Sequence, residues 1–293
     1  MRIGLYLMTE KGYEVLKVIL EKKFKEMIAF VCVGTDRHVQ NDFSGEIRKL
    51  CDHEKILILE REDRSEKMAN CDLRIAVSWR WMIESEPNKL IVLHDSLLPR
   101  LRGFSPLVTA MINQDSHVGV TAIFAEEGFD RGPVILQKKL QLNYPIKIHQ
   151  VINQIIPLYS EIIVEIFGAL NTGGKLNAVK QDESLATYSL WRDESDYQIN
   201  WELTAEQILA KINASSQPYA GASSIINNQL IRILDATVVD DVIIENRDCG
   251  KVLFTHMDKP IVVCGKGLLR IDKAVFENGE SVLPLKNFRT RFK

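Results

Sequence analysis

The sequence predicts an α/β protein in two parts, an N-terminal domain on a mainly parallel sheet and a smaller β-barrel-like domain after it. Three observations carry this. In the first half, short apolar runs alternate with segments of helical spacing, the pattern of strands buried on both faces with helices between them. From about Tyr188 the texture changes to short β-like runs separated by Asn-, Asp- and Gly-containing turns. The chain has 293 residues, 46% of them hydrophobic, enough for a core in each of two domains.

Taken in order, the first apolar run spans residues 3–7 and turns polar at Thr9-Glu10-Lys11. It is too short for a signal peptide and reads as a first strand. Helical spacing follows from Tyr13 to Leu20, then strands at 28–34, 56–59, 73–79 and 89–94, with a helix at 43–53. A loop with proline and arginine (98–106) leads to a short helix at 107–113 and strands at 118–125 and 134–142. Next comes a long helical pattern with Ile148, Val151, Ile155, Tyr159, Ile162 and Phe167 on one face, a core stripe packed on the sheet. Pro157 predicts a kink or break in it. Asn171-Thr172-Gly173-Gly174 ends the helix, and the polar stretch to Ala186 reads as a linker or extended crossing. The expected domains are therefore 1–186 and 187–293. In the second, a helix at 205–213 precedes strands at 222–226, 230–234, 251–255, 261–264 and 268–271.

Composition narrows the function classes. The net charge is −2 and no basic tract stands out, so a nucleic-acid partner is not expected. No stretch approaches the roughly 20 apolar residues of a membrane span, so no membrane is expected either. Cys32, Cys51, Cys71, Cys249 and Cys264 form no C-x-x-C pair. They fit reduced thiols in a cytoplasm better than disulfides or a zinc site. His38, His53, His117, His149 and His256 show no metal-ligand spacing, and no metal is expected.

The chemistry concentrates in one segment. His94 falls at the end of a candidate strand, and ligands of such sheets bind beyond the carboxyl ends of the strands. Its imidazole is the one side chain there that can give and take protons near neutrality. Ser96-Leu97-Leu98-Pro99, then Arg100, Arg102 and Gly103, read as a rigid loop with cationic groups. The arginines suit a substrate phosphate or, equally, the tying-down of the loop. Asp130 and Gly132 lie in a loop between two strands, where Asp130 could pair with His94. Singly, each residue has an ordinary explanation: a hydrogen-bonded histidine, a turn aspartate, a loop-closing serine.

The order of these motifs carries more. His94-Asp95-Ser96-Leu97-Leu98-Pro99-Arg100-Leu101-Arg102-Gly103-Phe104-Ser105-Pro106, then Gly119-Val120-Thr121, then Asp130-Arg131-Gly132, resembles the signature of formyltransferases that use 10-formyltetrahydrofolate. Pro218-Tyr219-Ala220-Gly221-Ala222 and the segment from Val262 to Leu269 are similar to the C-terminal domain of the methionyl-tRNA and sugar members. The resemblance implies a Rossmann-like N-terminal domain, an OB-like C-terminal β-barrel, and attack of a substrate amine on the formyl carbon. It implies that His94 and Asp130 are catalytic, with His94 taking the amine's proton or polarising the carbonyl, and Asp130 setting the imidazole's tautomer and helping to pass a proton to the departing folate nitrogen. It implies that Trp81, Met82, Ile83, Gly128 and Asp130 meet the folate, and that Arg100, Arg102 and Ser96 meet the other substrate. One departure stands out. The family has an asparagine two positions before the histidine, and this chain has Val92, which has no hydrogen-bond donor. Asp95, Ser96 and main-chain N–H groups are the nearby replacements.

The acceptor is read from one further loop. The tRNA enzymes carry a basic, glycine-rich loop after the second strand, whereas Gly34-Thr35-Asp36-Arg37-His38-Val39-Gln40-Asn41-Asp42 is not strongly basic. That loop, with Trp191-Arg192-Asp193-Glu194, looks more like the sugar N-formyltransferases. The expected substrate is a nucleotide-linked amino sugar destined for surface polysaccharide, with a homodimer left open. The alternatives are an enzyme acting on initiator methionyl-tRNA and a catalytically degenerate folate- or nucleotide-binding protein.

Overall fold

Parallel pairing builds the first sheet of the computed structural model, which describes residues 1–37, 39–61 and 71–293. His38 lies outside them. The elements are β1 (Ile3–Leu7), α1 (Thr9–Glu21), β2 (Ile28–Val33), α2 (Ser44–Glu54), β3 (Ile58–Glu60), β4 (Leu73–Val77), β5 (Leu90–His94), β6 (Arg102–Gly103), α3 (Pro106–Ile112), β7 (His117–Phe124), β8 (Val134–Gln141), α4 (Ile148–Asn171) and β9 (Tyr188–Ser189). The sheet order is β3-β2-β1-β4-β5-β7-β8. The first five strands run parallel, and β7 and β8 add an antiparallel edge. Every residue of β1 and β2 is buried, which is why both read as unbroken apolar runs rather than alternating ones. The strand order runs outward from β1 in both directions, so the switch point, where α/β sheets open a ligand crevice, lies between β1 and β4.

The chain divides into two compact units. The first comprises Met1–Leu107, Ser116–Leu142 and Ile152–Leu190. The second comprises Val108–Asp115, Asn143–Val151 and Trp191–Lys293. In the second, α5 (Ala205–Ala214) starts at a capping box of Thr204 and Gln207. The strands β10 (Ala222–Ile226), β11 (Gln229–Val239), β12 (Val252–His256), β13 (Lys259–Val263) and β14 (Leu268–Phe276) form an antiparallel sheet ordered β10-β11-β14-β13-β12. Ile208, Ile231, Ile233, Leu269, Ile271 and Phe292 fill the core of this barrel-like domain.

The structure decides three expectations. Of the kink or break expected at Pro157, the break does not occur, because helix α4 continues through it. Asn153, whose carbonyl loses its partner four residues on, is exposed, so water replaces the missing bond while the apolar stripe holds the helix to the core. The same helix is long and apolar enough to cross a membrane by length and composition, contrary to the reading that no stretch approaches that. Its stripe of Val151, Ile155, Ile162, Ile166 and Phe167 is buried within the fold. Finally, of linker and extended crossing the stretch to Ala186 is the crossing: Val179 pairs with Val134 inside the first unit, and beyond Ala186, Thr187 and Ser189 bond Arg102 and Phe104 in the parallel β6–β9 pair.

Candidate active site

His94 is the last residue of β5 and lies opposite Thr121 of β7. Side chains alternate along a strand, so Leu90, Val92 and His94 share one face and Asp95 turns to the other. Val92 packs on an apolar cluster with Tyr6, Ala76 and Trp79. At the end of that face the imidazole is buried. Its Nε2 lies 2.8 Å from the carbonyl oxygen of Leu101. A carbonyl only accepts, so Nε2 carries the proton and the lone pair of the neutral ring is on Nδ1. Asp130 Oδ2 stands 3.5 Å from that Nδ1. A proton arriving at Nδ1 therefore creates an imidazolium beside a carboxylate, which stabilises it.

The loops are built to hold this pair. Asp130 has φ +55°, a left-handed conformation that aspartate tolerates, and its Oδ2 accepts a hydrogen bond from the Gly103 N–H at 2.8 Å. Gln181 donates to the carbonyls of both Asp130 and Gly132. A side chain at 132 would collide with the Phe124 carbonyl, which explains the glycine in Asp130-Arg131-Gly132. On the histidine side, Thr121 donates to the Ser96 carbonyl at 2.6 Å, and Gln137 donates to Thr121 and to the Leu98 carbonyl. Leu101, whose carbonyl fixes the histidine tautomer, sits at φ +58°. That conformation is unfavourable for a leucine and persists because its N–H is held by Thr187 and its neighbours by β9.

Arg102 and Ser96 differ from expectation. The Arg102 side chain is 0% exposed. Nε and Nη2 donate to Gln181, and Nη1 and Nη2 to Glu183. Those bonds, Arg102 foremost, hold the Glu183 carboxyl below the usual carboxylate range. With its fork fully engaged, Arg102 latches the loop and has no donor left for a substrate. Ser96 is likewise committed: its hydroxyl donates to the Arg100 carbonyl at 2.7 Å. Arg100 itself is exposed at the surface.

The expected folate segment follows β4. Trp81 packs edge-on against Trp79 at 5.1 Å, and the Arg61 guanidinium lies 4.4 Å above the Trp81 ring. Met82 projects into solvent, whereas Ile83 turns its side chain to the apolar cluster. Gly128 shares the loop with Asp130, at φ +92°.

Motif reading missed the polar groups at the β1/β4 switch point. Thr9 Oγ1, Ser78 Oγ and Trp79 Nε1 are buried atoms without a hydrogen-bond partner among the described residues. Thr9 and Ser78 have φ +61° and +54°, a genuine outlier in the β-branched threonine. An unpaired buried polar atom costs about 1–3 kcal/mol. Three of them at a ligand crevice, two on strained backbone, suit a site whose partners arrive with a ligand. Nothing in their residue types marks them, because only the fold leaves them unpaired.

Comparisons with known proteins converge. The family described as formyl transferase matches residues 58–166, and its C-terminal domain matches residues 193–291. A methionyl-tRNA formyltransferase of Ehrlichia ruminantium is 30% identical over 235 residues, 78% of this chain and 74% of that protein. One of Fusobacterium nucleatum is 31% identical over 190 residues, 64% of this chain but only 60% of that protein. Among solved structures, the sugar 3N-formyl transferase WlaRD, crystallised with dTDP and 5-N-formyl-THF, superposes with a TM-score of 0.70 at 18% identity. The superposition covers 95% of this chain and 98% of that one, a likeness of fold.

Proposed function

Since the chain belongs to the formyltransferase family, we propose that it transfers a formyl group from 10-formyltetrahydrofolate to the amine of a nucleotide-linked amino sugar. The observation that carries the chemistry is the His94–Asp130 pair at the carboxyl end of β5, with the tautomer of His94 fixed by the Leu101 carbonyl. The folate fits what this chain presents. The Trp79 and Trp81 rings offer flat apolar walls, and the unpartnered hydroxyls of Thr9 and Ser78 offer polar partners for a heterocycle edge.

Bound 10-formyltetrahydrofolate supplies an electrophilic formyl carbon and a leaving nitrogen. The acceptor amine bonds to that carbon, the carbon–nitrogen bond to the folate breaks, and one proton passes from the incoming amine to the departing nitrogen. His94 carries that proton, accepting it at Nδ1, and Asp130 stabilises the imidazolium meanwhile. The transient oxyanion needs a donor already in place. Val92 has none, and Asp95 and Ser96, the side chains the sequence offers instead, are committed elsewhere. Trp79 Nε1–H is unpartnered and packs on the same cluster as Val92, and we assign the donor role to it.

The sugar reading is supported by the end-to-end likeness in fold to a sugar transferase and by the weakly basic loop after β2. The second reading, transfer to initiator methionyl-tRNA, is favoured by the sequence relatives. Tetrahydrofolate release, followed with a panel of nucleotide-linked amino sugars and with charged initiator tRNA, decides between them. Turnover with the tRNA and with no sugar refutes the first reading. Folate binding without turnover on either points to a degenerate binder. His94→Ala is expected to lower turnover at least ~100-fold in a folded protein.

A further inference from the structure

Behind His94, on the opposite face of β5, three titratable groups from three elements meet. Lys11, in the first turn of α1, places its ammonium on one oxygen of Asp95, the residue that follows β5. Tyr159, in the middle of α4, donates its hydroxyl to the other oxygen. The ammonium also lies 5.9 Å above the Tyr159 ring. Lys11 is 9% exposed and Tyr159 1%. Burial, and after it the charge of Asp95, pushes the Tyr159 hydroxyl well above its ordinary range, so it stays protonated and donating.

Such a cluster is a poor way to gain stability. Desolvating two charges offsets most of their attraction, and apolar residues of similar volume commonly do as well or better. Its position suggests a use. Asp95 is joined directly to His94, and a bare carboxylate there would add to the charge of Asp130 in drawing a proton onto the imidazole. The other groups around His94 leave its field otherwise balanced. On its own face stand Asp130, the Leu101 carbonyl and the neutral Thr121 and Gln137. The nearby Arg102 and Arg131 are both paired with Glu183.

We propose that Lys11, Asp95 and Tyr159 form a positioning cluster for His94: they anchor the end of β5 from two helices and neutralise the carboxylate behind the imidazole, leaving Asp130 as the carboxylate that faces it. The proposal rests on the reading of His94 as the proton carrier.

Charge removal tests it through opposite signs. Lys11→Met leaves Asp95 uncompensated, which favours imidazolium and moves the His94 titration to higher pH. Asp95→Asn leaves the ammonium uncompensated and moves it to lower pH. For a unit charge some ~8 Å away at an effective dielectric of roughly 20–40, each shift is about 0.8–1.5 pH units, less where salt screens it. The double variant is expected to return close to the wild-type value, and Lys11→Arg, which keeps the charge, to stay there. The readouts are the His94 imidazole signal followed by NMR across pH and the acidic limb of the kcat/KM profile. Tyr159→Phe, which keeps the packing, is expected to lower kcat several-fold with KM unchanged. Opposite shifts that cancel in the double variant support the proposal; shifts of one sign, or none, in folded variants overturn it. Failure of the site reading shows separately, as wild-type turnover in His94→Ala.

Discussion

Replacing Arg102 with methionine separates two roles for a residue that its motif position marks as a substrate contact. The guanidinium is wholly enclosed, and all three of its nitrogens are bonded. Methionine keeps most of the volume and removes the donors. Gln181 Oε1, in a buried residue, is then left unpaired, at a cost of about 1–3 kcal/mol. Glu183 is 46% exposed and rehydrates, so it adds little. A loss of roughly 1–3 kcal/mol lowers Tm by about 2–12 °C for a unit of this size. The same change frees the segment between Leu101, which holds His94, and Gly103, which holds Asp130. Misplacing a reacting group by about 1 Å can lower the rate ~100-fold, so kcat is expected to fall about 10- to 100-fold with KM within a few-fold. Thermal unfolding and steady-state kinetics on one preparation read both. A Tm unchanged within error, with KM raised tenfold and kcat intact, refutes the latch and returns Arg102 to the substrate. Lysine at this position keeps the charge but cannot reproduce the bidentate fork and is expected to fall between wild type and methionine.

Trp79→Phe retains the ring packing and removes the N–H assigned to the oxyanion. Loss of one such donor typically lowers kcat about 100- to 1000-fold, with folate affinity measured by fluorescence quenching changed little; an unchanged kcat removes Trp79 from that role. In the second unit, burial alone would raise the pKa of Asp272, but bonds from Arg270, Thr237 and Lys259 outweigh it and hold the carboxyl below its ordinary range. A lowered folded-state value adds stability above the unfolded carboxylate value near ~4, and that stability is lost as pH falls through the folded value. Asp272→Asn is therefore expected to destabilise the protein by about 1–3 kcal/mol at pH 7 and by little at pH 2.5. Denaturant melts at the two pH values check this, and an equal loss at both contradicts it.

The fold was legible wherever one physical signal dominated. Strands β1, β2, β4 and β5 are buried on both faces, so their apolar runs stand out against polar flanks. Strands β11 and β14 extend well past their predicted ends. Asp235, Thr237 and Asp272 interrupt the hydrophobic pattern there, yet Thr237 and Asp272 bond each other, and a register shift at Asp235 accommodates the break. Pro157 misled for a related reason: a local rule about helix interiors yields when the orphaned carbonyl faces water and the opposite face is held by the core.

The site divides along the same line. The approach of Asp130 to His94 was legible because a proton carrier at a strand end and an aspartate in a Gly-containing loop are local features, and their motif order ties them together. Arg102, Ser96 and Asp95 sit in the same motif, but their roles were not legible, because a side chain's availability is a property of its partners and those partners lie far along the chain. Arg102 is taken by Gln181 and Glu183, about eighty residues on, and Asp95 by Lys11 and Tyr159, from two other helices. The converse holds for Thr9, Ser78 and Trp79, unremarkable by type and conspicuous only because the folded chain leaves them without partners. A motif thus locates this site, and the accounting of hydrogen bonds around it decides which of its residues are free to act.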